Sequence, residues 1–202
     1  MIKNSKSHRD GNGVLSVKLN LLNIHEIKQI YETRMVIDFP KAELKPLKNI
    51  IEAVNSGIYE CLGLFEGGAC IGYTFLIKQG ESFLIDYIAI YPDKRNNGAG
   101  SQLLRLLNEH LADAKVVILE VEDPEYAKNP EEKDLQTRRL GFYMRNECID
   151  TGLRVRCFGV PFIILSLGKE NGGEPDFLWK LYNSYYTAVL PKEMYEKNIE
   201  RI

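Results

Sequence analysis

Apolar residues along this chain switch between two spacings, and the switches mark the elements. Over residues 14–19 they alternate with polar ones, which predicts a short strand. Ile24, Ile27, Ile30 and Tyr31 recur at three or four positions, which predicts a helix with one apolar face and Asn23 as its cap. Phe39-Pro40 ends that helix, because a residue before proline is driven toward extended backbone. Leu47, Ile50, Ile51 and Val54 form a second helical stripe, with Gly57 as its stop. Three strands follow over residues 58–65, 69–78 and 82–91, the first two joined by a Gly67-Gly68 hairpin turn and the third set off by Gly80.

Helical spacing resumes from Gly98 through Leu103, Leu106, Leu107 and Leu111. Residues 115–121 predict a strand whose apolar run, Val116 to Leu119, is buried on both faces. Residues 122–133 are charged, contain Pro124 and Pro130, and read as a loop. A helix is expected from about Glu131 to Asn146, then strands over 149–155 and 160–167. Gly172-Gly173 and Pro175 mark a break. A helix over 176–189 would place Phe177, Leu181 and Tyr185 on one face, and after Pro191 a last helical turn is expected over 194–202. The order β-α-α-β-β-β-α-β-α-β-β, plus a helical tail, predicts an α+β architecture with helices on both sides of one mixed sheet.

Composition narrows the function classes. The 202 residues suffice for one domain and a small appendage. A formal net charge of −2 gives no general drive toward nucleic acid, and no apolar run is long enough to predict a transmembrane helix. Residues 1–13 are polar, lack the apolar core of a secretory signal, and read as a flexible tail. Cys61, Cys70, Cys148 and Cys157 form no CxxC pair, so free thiols are expected in preference to a disulfide or a zinc site. His8, His25 and His110 have no ligand spacing, and no metal is assigned.

The run from Asp86 to Leu104, DYIAIYPDKRNNGAGSQLL, carries the most chemistry. A hydrophobic strand ends at Tyr91-Pro92, a polar loop follows, and Gly98 and Gly100 open an amphipathic helix. Unpaired first-turn amides, the positive end of the helix dipole and the preceding Arg95 together suit a phosphate or pyrophosphate. No Gly-Lys-Ser/Thr closes a P-loop, and no third glycine completes a dinucleotide fingerprint. Two glycines at such a turn can also serve the turn alone.

Arg95-Asn96-Asn97-Gly98-Ala99-Gly100 resembles the Arg/Gln-x-x-Gly-x-Gly/Ala motif of the GNAT superfamily of N-acetyltransferases. The strand before it, the helix after it and the strand from Val116 to Val121 resemble that family in the same order. The resemblance implies a GNAT-like domain over residues 14–168, with a central mixed, mostly antiparallel sheet of about seven strands flanked by helices. Residues 169–202 then form a helical C-terminal extension packed on it. It further implies acetyl-CoA as co-substrate, with its pyrophosphate on the amides of Arg95, Asn96, Asn97, Gly98, Ala99, Gly100 and Ser101. Its pantetheine arm would run beside Ile88, Ala89 and Ile90, whose backbone N–H groups would stabilise the oxyanion.

The reaction this implies is acetyl transfer to a primary amine of a small molecule or peptide, in the cytoplasm, without metal, nucleic acid or membrane partners. A homodimer is compatible with it. A catalytically inactive acyl-CoA-binding module acting through a protein partner is the alternative. Many GNAT members protonate the departing thiolate with a tyrosine in a Phe-Tyr-x-Lys/Arg-x-Gly-Phe run. Two registers compete for it here. Gly141-Phe142 leaves Thr137 in the tyrosine's place. Phe142-Tyr143-Met144-Arg145 keeps the tyrosine but puts Glu147-Cys148 where Gly-Phe belongs, and is preferred, making Tyr143 the expected acid. Glu120, which shares a strand face with Glu122, is the candidate base, and a water chain is the other possibility. The acceptor pocket of the family points to residues 37–40, with Phe39, to Glu43, and to residues 154–160.

Overall fold

The computed structural model describes residues 17–41, 43–168 and 173–202. The expected tail over residues 1–13, the first three positions of the expected first strand and Gly172 lie outside them. Among the described residues one eight-stranded sheet runs in the order β1-β2-β3-β4-β5-β7-β6-β8. Its strands are β1 (Val17–Leu21), β2 (Tyr59–Glu66), β3 (Ala69–Gln79), β4 (Ser82–Ile90), β5 (Val116–Glu122), β6 (Cys148–Cys157), β7 (Val160–Leu167) and β8 (Ile199–Arg201). Only β4 and β5 pair in parallel; every other neighbouring pair is antiparallel.

Helices cover both faces. On one lie α1 (Ile24–Ile30), α3 (Leu47–Asn55) and α6 (Pro175–Val189), whose Ile27, Ile50 and Tyr182 pack with Tyr73, Phe75 and Ile164 of the sheet. On the other lie α4 (Ala99–His110) and α5 (Pro130–Arg145), whose Leu104, Leu107 and Tyr143 pack with Leu119, Ile163 and Leu165. The alternation of β5 explains the division: Val116, Ile118 and Glu120 face the first layer, Val117, Leu119 and Val121 the second.

Three local features depart from the expectation. The first helix starts where the spacing predicts, with the Asn23 side chain accepting from the amides of His25 and Glu26 and Glu26 reaching back to the Asn23 amide. It then widens into a π-helical stretch, Tyr31–Met35, and ends in a short α2 (Val36–Asp38). The extra residue per turn lets Met35, five positions after Ile30, share the buried face, while Arg34 lies over the Tyr91 ring at 4.0 Å. The second departure is at the C-terminus, where the expected final turn is instead α7 (Lys192–Asn198) followed by the strand β8. Ile199 is buried and Glu200 and Arg201 are exposed, which suits a charged edge strand on β6, where Arg156 also pairs with Glu200 at 2.5 Å. The third is in the expected loop after β5, which contains a 3₁₀ turn, Pro124–Tyr126, while α5, capped by Asn129, starts at Pro130, within a residue of its expected start.

Candidate functional site

β4 and β5 are neighbours only from Ser82 to Ile85 and from Val116 to Leu119. Beyond, β4 stays on β3 as far as Ile90, while Glu120, Val121 and Glu122 pair with β7. The parallel pair therefore opens into a V. Tyr91 gives its amide to Ile71 of β3, so by alternation Ile88 and Ile90 turn their backbone groups into the V, where the Ile90 carbonyl accepts from Arg95 Nε at 2.9 Å.

At one end of the V stands the N-terminus of α4. Gly98, at φ 79°, makes the left-handed turn into the helix, and no side chain caps it. Gln102 is the first residue to close a helical bond, to the Gly98 carbonyl, so the Ala99, Gly100 and Ser101 amides are left without helical acceptors, an arrangement that suits an anion. Gly100 also answers a packing need, because a Cβ there would sit 3.0 Å from Phe142 Cζ of α5. Both cations of the preceding loop are engaged within the protein: Lys94 with Glu66 at 2.9 Å, and Arg95 with Asp38 at 3.3 Å. Asp38 also accepts from Tyr73 at 2.9 Å. The positive character of this end therefore comes mainly from backbone amides.

Across the V, on the α6 side of the sheet, lies a cluster of buried polar groups. Lys45 spans the two oxygens of Asp86 at 2.8 and 2.9 Å, and Tyr59 donates to the same carboxylate. Asp86 reaches this face from a bulge in β4, where the pairing skips from Ile85 to Tyr87. Tyr87 gives its hydroxyl to the Glu43 carbonyl at 2.8 Å, accepts the Lys45 amide at 2.9 Å, and meets Phe39 edge-on at 4.9 Å between centroids. Glu120 accepts from Tyr182 and, at 2.9 and 3.0 Å, from Tyr186. Burial, aided by nearby Asp86, pushes Glu120 up to about 7 against the opposing tyrosine hydrogen bonds and Lys45. Burial works against the Lys45 ammonium, but Asp86, Tyr87 and Glu120 more than reverse that and hold it charged.

A strand pair that opens beside a bare helix N-terminus is the frame of a known transferase family, and the comparisons agree. The model of the acetyltransferase (GNAT) family matches residues 24–130, more than half of the chain. The chain belongs to the GNAT family of acetyltransferases. Solved structures share its fold. A putative GNAT-family acetyltransferase from Bacteroides thetaiotaomicron is 20% identical, with a TM-score of 0.68 over 87% of this chain and 99% of that one. The ribosomal-protein-S18-alanine N-acetyltransferase from Escherichia coli is 19% identical, with a TM-score of 0.55 over 75% and 93%. An acetyltransferase from Bacillus subtilis in complex with CoA is 15% identical, with a TM-score of 0.51 over 77% and 100%. A sequence search of curated proteins finds no match.

Within this GNAT frame, Tyr143 lies on α5, on the opposite face of the sheet from Glu120. Its ring meets Phe142 at 5.2 Å between centroids, and burial pushes its hydroxyl up to about 12. Gly141 and Phe142 lie within α5, whereas Glu147 takes the left-handed turn after it, at φ 64°, and buried Cys148 opens β6. The backbone at Glu147 is therefore the kind that normally selects glycine. Glu122 pairs with Arg139 rather than facing open space. Partial burial raises the Glu43 carboxyl, and the Arg139 charge opposes the rise. Arg154, from the late strands, is bound to Asp150 at 2.7 Å and Asp123 at 3.6 Å.

Lys45, Tyr182 and Tyr186 join the buried polar cluster beside the strand opening, and no sequence motif points to Lys45. The spacing of the two tyrosines puts them on one helix face, but nothing in the sequence links that face to a carboxylate more than sixty residues earlier. Among the described residues no cluster of three or more His, Cys, Asp or Glu is arranged for a metal ion, and no helix is long and apolar enough to cross a membrane.

Proposed function

We propose that this chain is an N-acetyltransferase that moves the acetyl group of acetyl-CoA to a primary amine of a small molecule or peptide. The observation that carries this reading is the opening of β4 and β5 beyond Ile85 and Leu119, with unpaired α4 amides at one end and Glu120, at about 7, beside it. The donor's pyrophosphate would lie on the amides of Ala99, Gly100 and Ser101. Its pantetheine arm would follow the backbone of Ile88 to Ile90. The CoA bound in the Bacillus subtilis structure and the amine acceptor named for the Escherichia coli enzyme support the assignment by family membership.

In this reading Glu120 takes a proton from the incoming ammonium. The freed amine forms a bond to the thioester carbon, the Ile88 amide stabilises the oxyanion, and the C–S bond breaks as the carbonyl re-forms. Tyr143, protonated at neutral pH, donates to the departing thiolate and regains a proton from the one that the new amide nitrogen sheds, passed through water. Phe39 and the Glu43 segment, tied to β4 through Tyr87, wall the acceptor side, and the need for acetyl-CoA places the reaction in the cytoplasm.

The experiment is calorimetric titration with acetyl-CoA of the wild type and of Ser101→Glu, followed by an amine screen for thiol release. Ser101 is exposed in the first turn of α4, so a glutamate there favours the helix while repelling a pyrophosphate. Micromolar binding in the wild type, weakened at least tenfold in a variant that melts no lower, is the expected result. Equal binding in both would remove the pyrophosphate from this helix end, and a folded wild type that binds neither acetyl-CoA nor CoA would overturn the reading.

A further inference from the structure

The family match ends at residue 130, yet the hydroxyls that hold the carboxylate at the strand opening come from α6, forty-five residues later. Tyr186 donates to both oxygens of Glu120, at 2.9 and 3.0 Å, and Tyr182 donates to one of them. Both rings are buried, tilted against each other at 5.0 Å between centroids, with Trp179 stacked on Tyr182 at 5.9 Å, so neither hydroxyl is free to swing away. The other titratable and charged groups around Glu120 come from three directions: Lys45 from the segment before α3, Asp86 from β4, and Cys157 from β6. Lys45 is committed to Asp86, so the tyrosines are the direct donors to Glu120.

We propose that Tyr182 and Tyr186 are positioning residues of the acetyltransferase site, and that the C-terminal helix completes it by hydrogen-bonding the Glu120 carboxylate and orienting it toward the acceptor amine. The proposal rests on the reading of Glu120 as the base. Hydrogen bonds from a hydroxyl favour the carboxylate over the acid, whereas burial and Asp86 favour the acid. Burial and the nearby Glu120 charge keep both tyrosines protonated far above neutral pH, so they remain donors throughout the working range. Without them the proton stays on Glu120 at neutral pH, and the amine has no acceptor for its own.

The test is a carboxyl-carbon NMR titration of the full chain labelled at glutamate, with the Glu120 signal assigned by its loss in Glu120→Gln. Tyr186→Phe and the double variant Tyr182→Phe/Tyr186→Phe retain the rings and remove the hydroxyls. The Glu120 midpoint is expected to rise by about one pH unit in the single variant and further in the double. With an amine found in the screen, the acid limb of kcat moves by the same amount, activity recovers at high pH, and KM for acetyl-CoA is unchanged. A midpoint that stays in place in a folded double variant overturns the proposal. So does a midpoint that moves while the kcat limb does not. Acetyl-CoA titrations of the same variants keep this separate from the parent reading: a wild type that fails to bind acetyl-CoA removes the enzyme itself, whereas a fixed midpoint in a protein that binds it removes only the role of the tyrosines.

Discussion

A carboxylate buried away from water is easier to protonate than an exposed one, and Glu120 carries that bias into the stability of the whole chain. The folded protein keeps its proton up to about pH 7, whereas the unfolded chain releases it near 4.5. Between those values the native state binds more protons than the unfolded state, so stability falls as the pH rises through the window and the full loss persists above it. The shift corresponds to a cost on the order of 3 kcal/mol. Glu120→Gln has no such titration. Its melting temperature, followed by circular dichroism, should gain on the wild type by several degrees between pH 4.5 and 8, while its turnover at pH 8 falls by about 10² or more. A pH-independent difference in melting temperature would mean that Glu120 is not held near 7. The sequence makes Glu120 legible through the alternation of β5, but its surroundings depend on Lys45, Asp86 and α6, which converge only when the sheet is assembled.

At the scale of elements, periodicity predicts most of what forms, because each helix and strand buries one face against the same sheet. It misses the π-helical stretch, since Arg34 stands where an α-helix would place its next apolar residue and Met35 follows one position late. It also misses β8, whose three residues are too few to show a period. The parting of β4 and β5 is invisible in sequence, because register is a relation between strands. The C-terminal turn of α5 lies between these cases. A resemblance that asks for glycine at position 147 meets a glutamate, and the backbone adopts the left-handed conformation all the same, at φ 64°. That conformation costs an L-residue roughly 1 kcal/mol. The backbone bond from the Gly168 amide to the Glu147 carbonyl, 3.1 Å, does not depend on the side chain. Glu147→Gly should therefore raise the melting temperature by about 2–4 °C and leave acetyl-CoA affinity unchanged. A lower melting temperature would show that the glutamate side chain contributes more to this turn than its conformation costs.

For the molecule as a whole, the question is whether the C-terminal segment is an attachment or a part of the fold. The sequence marks it off with Gly172-Gly173 and Pro175 and gives α6 an apolar stripe, which is compatible with either. The structure places Leu178, Tyr182, Tyr185 and Tyr186 of α6 in the same core as Ile27 and Ile50 from the first helices and Phe75 and Ile164 from the sheet. The chain then returns through α7 to add β8 to the edge of β6, where the Ile202 amide reaches the Arg154 carbonyl at 3.1 Å. Two contacts at opposite ends of the segment, one by packing and one by strand pairing, couple it to the domain more strongly than a helix resting on a surface. Such coupling makes unfolding cooperative. Scanning calorimetry of the full chain should give one transition whose calorimetric and van't Hoff enthalpies agree, and Tyr185→Ala, deep in the shared core, should lower that single transition by about 6 °C or more without splitting it. Two resolved transitions, with only the first sensitive to Tyr185, would make the segment a separately melting unit, and its tyrosines could then leave Glu120 while the rest of the sheet stayed intact.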